Sequence, residues 1–135
     1  MRKTKFNRVW IGVFLAIALS ASASAEPVWI CSIVEGIECW DDGECGAPDM
    51  GGLEPATFLQ VDLNRKQITI MAPDSRKGEI TEIDVFEKVE GMWVIAGIEA
   101  GRAWSMVISD EGFMTLSASG DGTTWSAFGH SLPAD

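Results

Sequence analysis

Tyrosine is absent from this chain, and histidine occurs once, at position 130. With one histidine there is no His-rich set to hold zinc, and three cysteines are better explained by oxidation than by a tetrahedral site. Calcium is served no better. Asp41-Asp42-Gly43-Glu44 lacks the alternating oxygen ligands that precede a glycine in a calcium loop. No metal or other cofactor is expected. Basic residues are scarce too, ten against twenty acidic ones. Long apolar runs are limited to one, at positions 9–19 (VWIGVFLAIAL).

That single run has a context. Arg2, Lys3, Lys5 and Arg8 lie before it, and Ala23-Ser24-Ala25 follows it, just ahead of Glu26. A charged start, an apolar middle and a small-residue end make a cleaved export signal. Cleavage after Ala25 is expected, leaving residues 26–135 as one domain in the periplasm or secreted from the cell. The run is short and wrongly flanked for a stable span, and no second one follows, so no membrane anchoring is expected after processing. A lipid-modified cysteine would stand at the cleavage site, whereas the first cysteine is Cys31, behind Val28-Trp29-Ile30.

Processing sharpens the charge. The signal holds four of the ten basic residues and none of the twenty acidic ones, so the remaining domain carries a net charge of −14. Nucleic acid and anionic lipid surfaces repel such a domain, while a basic protein is attracted by it. Acidity also keeps an exported protein soluble without any partner.

Cys31, Cys39 and Cys45 make an odd number in an oxidising compartment, so one disulfide and one leftover thiol are expected. Cys39 and Cys45 flank the flexible acidic stretch Trp-Asp-Asp-Gly-Glu and are the expected pair. Cys31 alternates with Trp29 and Ile33 on one strand face, the placement of a buried thiol acting as a small hydrophobe.

From Thr57 onward the pattern is period two. Leu59, Val61 and Leu63 alternate with Gln60 and Asp62, and Ile68 and Ile70 continue after a turn at Asn64-Arg65. Positions 80–89 read as a strand with a change of face, possible at a bulge. Glu90-Gly91, Glu99-Ala100-Gly101, Asp110-Glu111-Gly112 and Gly120-Asp121-Gly122 then separate four further β-branched or aromatic runs. With the stretch 28–34, this predicts an all-β fold: about eight antiparallel strands in an up-and-down meander, closing into a small β-barrel with the last strand beside the first. Loops at 35–55, 73–78, 99–101 and 120–122 would share one end, bringing together Arg76, Lys77, Glu99 and Asp121.

The segment 35–55 is the outlier among the loops. It holds Trp40, Asp41, Asp42, Glu44 and Asp49, and these are the candidate binding residues, with Trp40 as an aromatic anchor pinned by the Cys39–Cys45 disulfide. The opposing interpretation is a solvated acidic connector. Catalytic residues are not nominated. His130 could serve Ser131 or Ser126 only if the fold brought them together, and no Gly-x-Ser-x-Gly elbow is present. Trp93, Trp104 and Trp125 fall on three different strands, either as a sugar-stacking stripe or as barrel filling.

Ser119-Gly120-Asp121-Gly122-Thr123-Thr124-Trp125 resembles the Asp-box of sialidase-type propeller repeats, one residue shorter, and implies a hairpin rather than glycosidase activity. More broadly, the opening Val-Trp-Ile-Cys, the Glu-Cys…Cys spacing at 38–45, Val61-Asp62-Leu63, Gly101-Arg102-Ala103-Trp104 and the Phe128-Gly129 ending are similar to a family of small exported bacterial β proteins with no assigned activity. A fainter resemblance is to periplasmic inhibitors of c-type lysozyme. Their inhibitory loop carries serines with a basic residue, and Ser117-Ala118-Ser119-Gly120-Asp121 has the serines without the base. The expectation is a non-enzymatic binding or inhibitor protein that recognises a basic protein through its acidic loop end. The alternative is a small-ligand or glycan binder using the barrel interior or its tryptophans.

Overall fold

The computed structural model describes residues 24–49 and 51–135. The charged and apolar parts of the expected export signal lie outside the described residues. Ten strands follow in order: β1 (Val28–Trp40), β2 (Cys45–Gly46), β3 (Phe58–Asp62), β4 (Gln67–Ala72), β5 (Ile80–Glu82), β6 (Val85–Val89), β7 (Met92–Glu99), β8 (Arg102–Ser109), β9 (Phe113–Gly120) and β10 (Thr123–Pro133). All neighbours are antiparallel, and the path across the sheet is β5-β4-β3-β1-β10-β9-β8-β7-β6, with the short β2 beside β1.

The two ends of that path are consecutive in the chain. Only Ile83 and Asp84 separate β5 from β6, so the single run 80–89 pairs first with β4 and then with β7. The sheet therefore curls round on itself into a barrel-like meander. Main-chain bonds hold the corner: Ile83 N–H donates to the Lys66 carbonyl at 2.9 Å, and Asp84 N–H to the Ala96 carbonyl at 3.0 Å. The Asp84 carboxylate accepts from Ile98 N–H at 2.8 Å. This break is the face change expected within 80–89, and it divides one expected strand into two. The other additional strand is β2.

β1 runs further than its sequence suggests. Residues 35–40, expected to begin the long loop, continue the strand and pair with β10 as far as Trp40 opposite Thr123. A bulge at Val34 makes this possible. Ile33 faces Gly129 and Glu35 faces Phe128, leaving Val34 unpaired and 67% exposed. One extra residue moves the inward set from Trp29, Cys31 and Ile33 to Gly36 and Glu38.

Inward positions stack in layers across β8, β9 and β10. Trp104, Ala118 and Trp125 form one; Met106, Leu116 and Ala127 the next; Ile108, Met114 and Gly129 a third. The alternating pattern buries Leu59, Val61, Ile68 and Ile95 from the other strands. Tight turns complete the meander. Glu90-Gly91, Ala100-Gly101 and Asp121-Gly122 each place both residues at positive φ, the mirror-type turn whose twist suits a two-residue hairpin. Within the Asp-box-like segment, Thr123 Oγ1 donates to the Gly120 carbonyl at 3.1 Å.

Gly129 marks the tightest approach in the sheet. A Cβ built there would lie 1.8 Å from the Ser32 carbonyl oxygen and 3.0 Å from Met114 Cε. Overpacking of this kind costs about 3 kcal/mol or more when backbone must move. Gly129→Ala should therefore lower stability by at least about that amount in urea unfolding; a change under about 0.5 kcal/mol would contradict the packing of β10 on the bulge.

Cys31 is fully buried as expected. Burial alone pushes its thiol up to about 12. At pH 8 the folded protein should leave a disulfide-exchange reagent unconsumed, and should consume one equivalent once guanidinium has unfolded it. Rapid reaction in the folded state would show that this side chain is not enclosed.

Candidate functional site

Large side chains do not fill the barrel evenly. At the end that carries the 90–91 and 110–112 turns, Trp29 and Trp93 pack edge to face with centroids 5.7 Å apart, and Phe86 lies 6.2 Å from Trp93. The opposite end carries the turns at 73–78, 99–101 and 120–122 and is underfilled. Ala118 stands between Trp104 and Trp125, and Gly120 occupies the inward position above it. Small residues here leave an open cavity of about 610 Å³. Leu59, Ile68, Ile70 and Leu116 line its apolar depth, with Trp104 and Trp125 as walls.

Polar groups gather at its mouth: Arg76, Thr81, Glu99 and Arg102. The expected meeting of loops at one end thus includes Arg76 and Glu99. Arg76 is only 15% exposed in its side chain and donates Nη2 to Glu79 Oε2 at 2.6 Å. It also donates Nη1 to the Glu54 carbonyl at 3.3 Å, tying the 73–78 loop to the long loop. The hydrogen bond from Arg76 holds the Glu79 carboxyl below its usual range. Glu99 accepts from the Thr81 hydroxyl at 3.1 Å across the seam of the sheet. Arg102 makes no ion pair among the described residues.

Glycines set the two indoles. A Cβ at Gly97 would come within 2.7–2.9 Å of the Trp104 ring, so that ring lies flat against bare backbone. A Cβ at Gly36 would be 3.7 Å from Trp125 Nε1. Trp104 is 8% exposed, and neither its Nε1–H nor that of Trp125 has a hydrogen-bond partner. Among the described residues these are the two buried side-chain polar atoms left unpaired, and both belong to walls of this cavity.

The residues nominated from sequence form a hairpin beside that mouth. Cys39 and Cys45 face each other across β1 and β2 and are disulfide-bonded. Trp40 is half-buried, with its ring 3.5 Å from where a Gly46 Cβ would lie, so it covers the hairpin instead of projecting from it. Asp42 Oδ1 accepts from Glu44 N–H at 2.9 Å. Asp49 Oδ1 accepts from Gly51 N–H at 3.0 Å, and Asp49 N–H donates to Glu38 Oε2 at 2.8 Å. Asp41, Asp42, Glu44 and Asp49 are exposed. Glu38, part of the Glu-Cys…Cys spacing but not among the nominated binding residues, is buried at 8% exposure and anchors the returning loop.

His130 and Ser131 point to opposite faces, His130 outward near Phe113 and Ser131 into the core. Ser126 lies on the outer face four residues away, roughly 13 Å along the strand. The three tryptophans of the suggested stripe divide: Trp93 packs against Trp29 at the other end, beside a smaller cavity of about 310 Å³, and Trp104 and Trp125 wall the larger one. Comparison with protein families, curated sequences and solved structures returns no match.

Proposed function

We propose that this exported domain is a non-enzymatic binder of a small apolar or amphiphilic molecule, held in the cavity at its loop end. The cavity itself carries this reading. Its volume is in the range of ligand sites, its depth is apolar, and a few polar groups stand at one edge, as ligand pockets are built. An eight-stranded barrel has room for one such molecule where side chains stop short of filling it. The Cys39–Cys45 disulfide is of the kind that persists in an oxidising compartment, which supports a periplasmic or secreted site of action.

A neutral fluorescent probe that is mostly hydrocarbon, N-phenyl-1-naphthylamine, should bind one to one and brighten. Saturating it should raise the unfolding temperature, because only the folded state holds the cavity. Ala118→Leu places a larger side chain between the two indoles and should abolish the brightening while the protein stays folded. Unchanged binding in that variant would reject the cavity as the site.

A basic protein partner at the acidic hairpin is the second reading, favoured by the exposed Asp41, Asp42 and Glu44 and by the net charge of −14. Electrostatic attraction of that kind weakens as salt shortens its range. Binding to a lysine-rich protein should fall at least tenfold between about 20 and 300 mM salt and weaken further in Asp41→Asn/Asp42→Asn; a salt-independent interaction would reject it.

A further inference from the structure

We infer that the outer wall formed by β7, β8, β9 and β10 is the contact surface for a second copy of this chain, in a weak two-fold dimer that salt strengthens. The wall faces away from the barrel interior, so the inference stands apart from what the cavity holds.

Side chains alternate along a strand, so each strand that lines the core also presents a row outward. Register sets these rows side by side. Val94 on β7 lies opposite Val107 on β8, Val107 opposite Thr115 on β9, and Thr115 opposite Phe128 on β10. A glutamate closes this row at each end: Glu87 on β6 opposite Val94, and Glu35 on β1 opposite Phe128. Between those borders, no outward position on the four strands holds an aspartate, glutamate, lysine or arginine. His130, counted neutral, is the one titratable side chain there. The rest is serine, threonine and apolar residues, with Ile98 and Leu132 more than 70% exposed, at 74% and 72%.

Such a wall is out of character for a domain with six basic residues against twenty acidic ones. Depletion of charge, more than bulk hydrophobicity, marks the centre of a protein interface. What the wall fits follows from what it lacks. A lysine-rich protein finds no carboxylate on it; those stand on the hairpin at 41–44 and in the loops. An anionic bilayer repels the domain as a whole. A second copy is the partner for which the absence of charge matters most. Two domains of −14 repel each other wherever their carboxylates meet, and this wall against its own two-fold image brings none together inside the Glu35 and Glu87 borders. Area sets the strength. β7, β8 and β9 are eight residues long. Together with β10 they cover about 500 Å² in plan. A stable interface takes about 800 Å² from each partner, so this wall supports a reversible dimer and not an obligate one. Repulsion between the two domains opposes it at low salt and is screened at high salt.

Sedimentation equilibrium of the mature protein tests this. At about 300 mM salt a monomer–dimer equilibrium with a dissociation constant of order 10–100 μM is expected. It should weaken at least tenfold at about 20 mM salt, the reverse of the salt effect on a lysine-rich partner. Val94→Glu and Thr115→Lys put charges of opposite sign on exposed positions at the centre of the wall. Each should weaken the dimer at least about tenfold and leave the urea midpoint of the monomer unchanged, because either charge would be shut in without a partner. Met71→Glu adds a charge to an exposed position on β4, away from the wall, and should change the dissociation constant less than about threefold. Protein that stays monomeric at about 500 μM in high salt would overturn the inference. So would a dimer that persists in both wall variants, which puts the contact elsewhere, or one that Thr115→Lys tightens, which makes net charge alone decisive. Binding of the wild-type protein to phosphatidylcholine vesicles, lost in Val94→Glu, would make the wall a lipid surface and overturn it as well.

Discussion

The pairing of β1 with β10 is the constraint on which the rest of the structure hangs. Without it the sheet falls into two parts, β1-β3-β4-β5 with β2 on one side and β6 to β10 on the other, joined through the corner at Ile83 and Asp84 and the Thr81–Glu99 contact across the seam. These are the first and last strands of the domain, so the contact is also the least local one, and the loop closure it requires is the largest. The bulge at Val34 makes the long pairing compatible with a closed interior. A 13-residue strand that kept strict alternation would turn Gly36 and Glu38 to solvent and lay Ile37 against the core. Gly129 completes the arrangement by having no side chain where the Ser32 carbonyl presses in.

Given that frame, the distribution of volume along the barrel decides where a ligand can sit. Each inward layer is set by residues that alternate along neighbouring strands, and the layers change character from one end to the other. Toward the 110–112 turn they hold Ile108, Met114 and Met106, all essentially inaccessible to solvent. Toward the 120–122 turn they hold Ala118 and Gly120, with Gly36 and Gly97 on the strands outside the indoles. Close packing is the rule in protein interiors because empty apolar volume forfeits dispersion contacts. A run of small residues at one end, in a domain otherwise packed with tryptophan and methionine, leaves that volume open on the side where the longest loops lie.

The sequence made the strands legible because they obey period two and are cut by Gly-containing turns; Leu59-Val61-Leu63 and the three hairpins from Met92 onward are clear from side-chain type alone. The Cys39–Cys45 pair was legible for a local reason, since six residues of hairpin bring the two together. Two features were not. The continuation of β1 through residues 35–40 is masked by Glu35, Gly36 and Glu38, which look like loop residues until the bulge and the burial of Glu38 against Asp49 N–H are seen. The cavity was hidden because an alanine or glycine in a strand carries no sign of what stands beside it. Its walls could have been found by register: in a meander with short turns, Trp104, Ala118 and Trp125 fall opposite one another once the Asp121-Gly122 turn and the Asp110–Gly112 turn are counted through.

Why tryptophan stands at these two positions is a question of free energy. Phenylalanine would supply most of the same apolar ring without a donor to satisfy. An unpaired buried N–H costs about 1–3 kcal/mol, and two of them in a domain whose whole stability is of order 5–15 kcal/mol is a large fraction to give up for packing alone. Stability by itself therefore favours a ring without the N–H in both places. Each N–H lies against a glycine on the next strand outward, Gly97 for Trp104 and Gly36 for Trp125, so the bare backbone that seats each ring also shuts its donor away from solvent. In a domain with six basic residues against twenty acidic ones, a guanidinium at the cavity mouth with no carboxylate partner is not explained by surface solubility, which more acid would serve as well. Trp104, Trp125 and Arg102 line the larger open cavity at the loop end, while a smaller one of about 310 Å³ lies at the other end beside Trp29 and Trp93, so the uneven layering of small and large residues shapes both ends of the barrel.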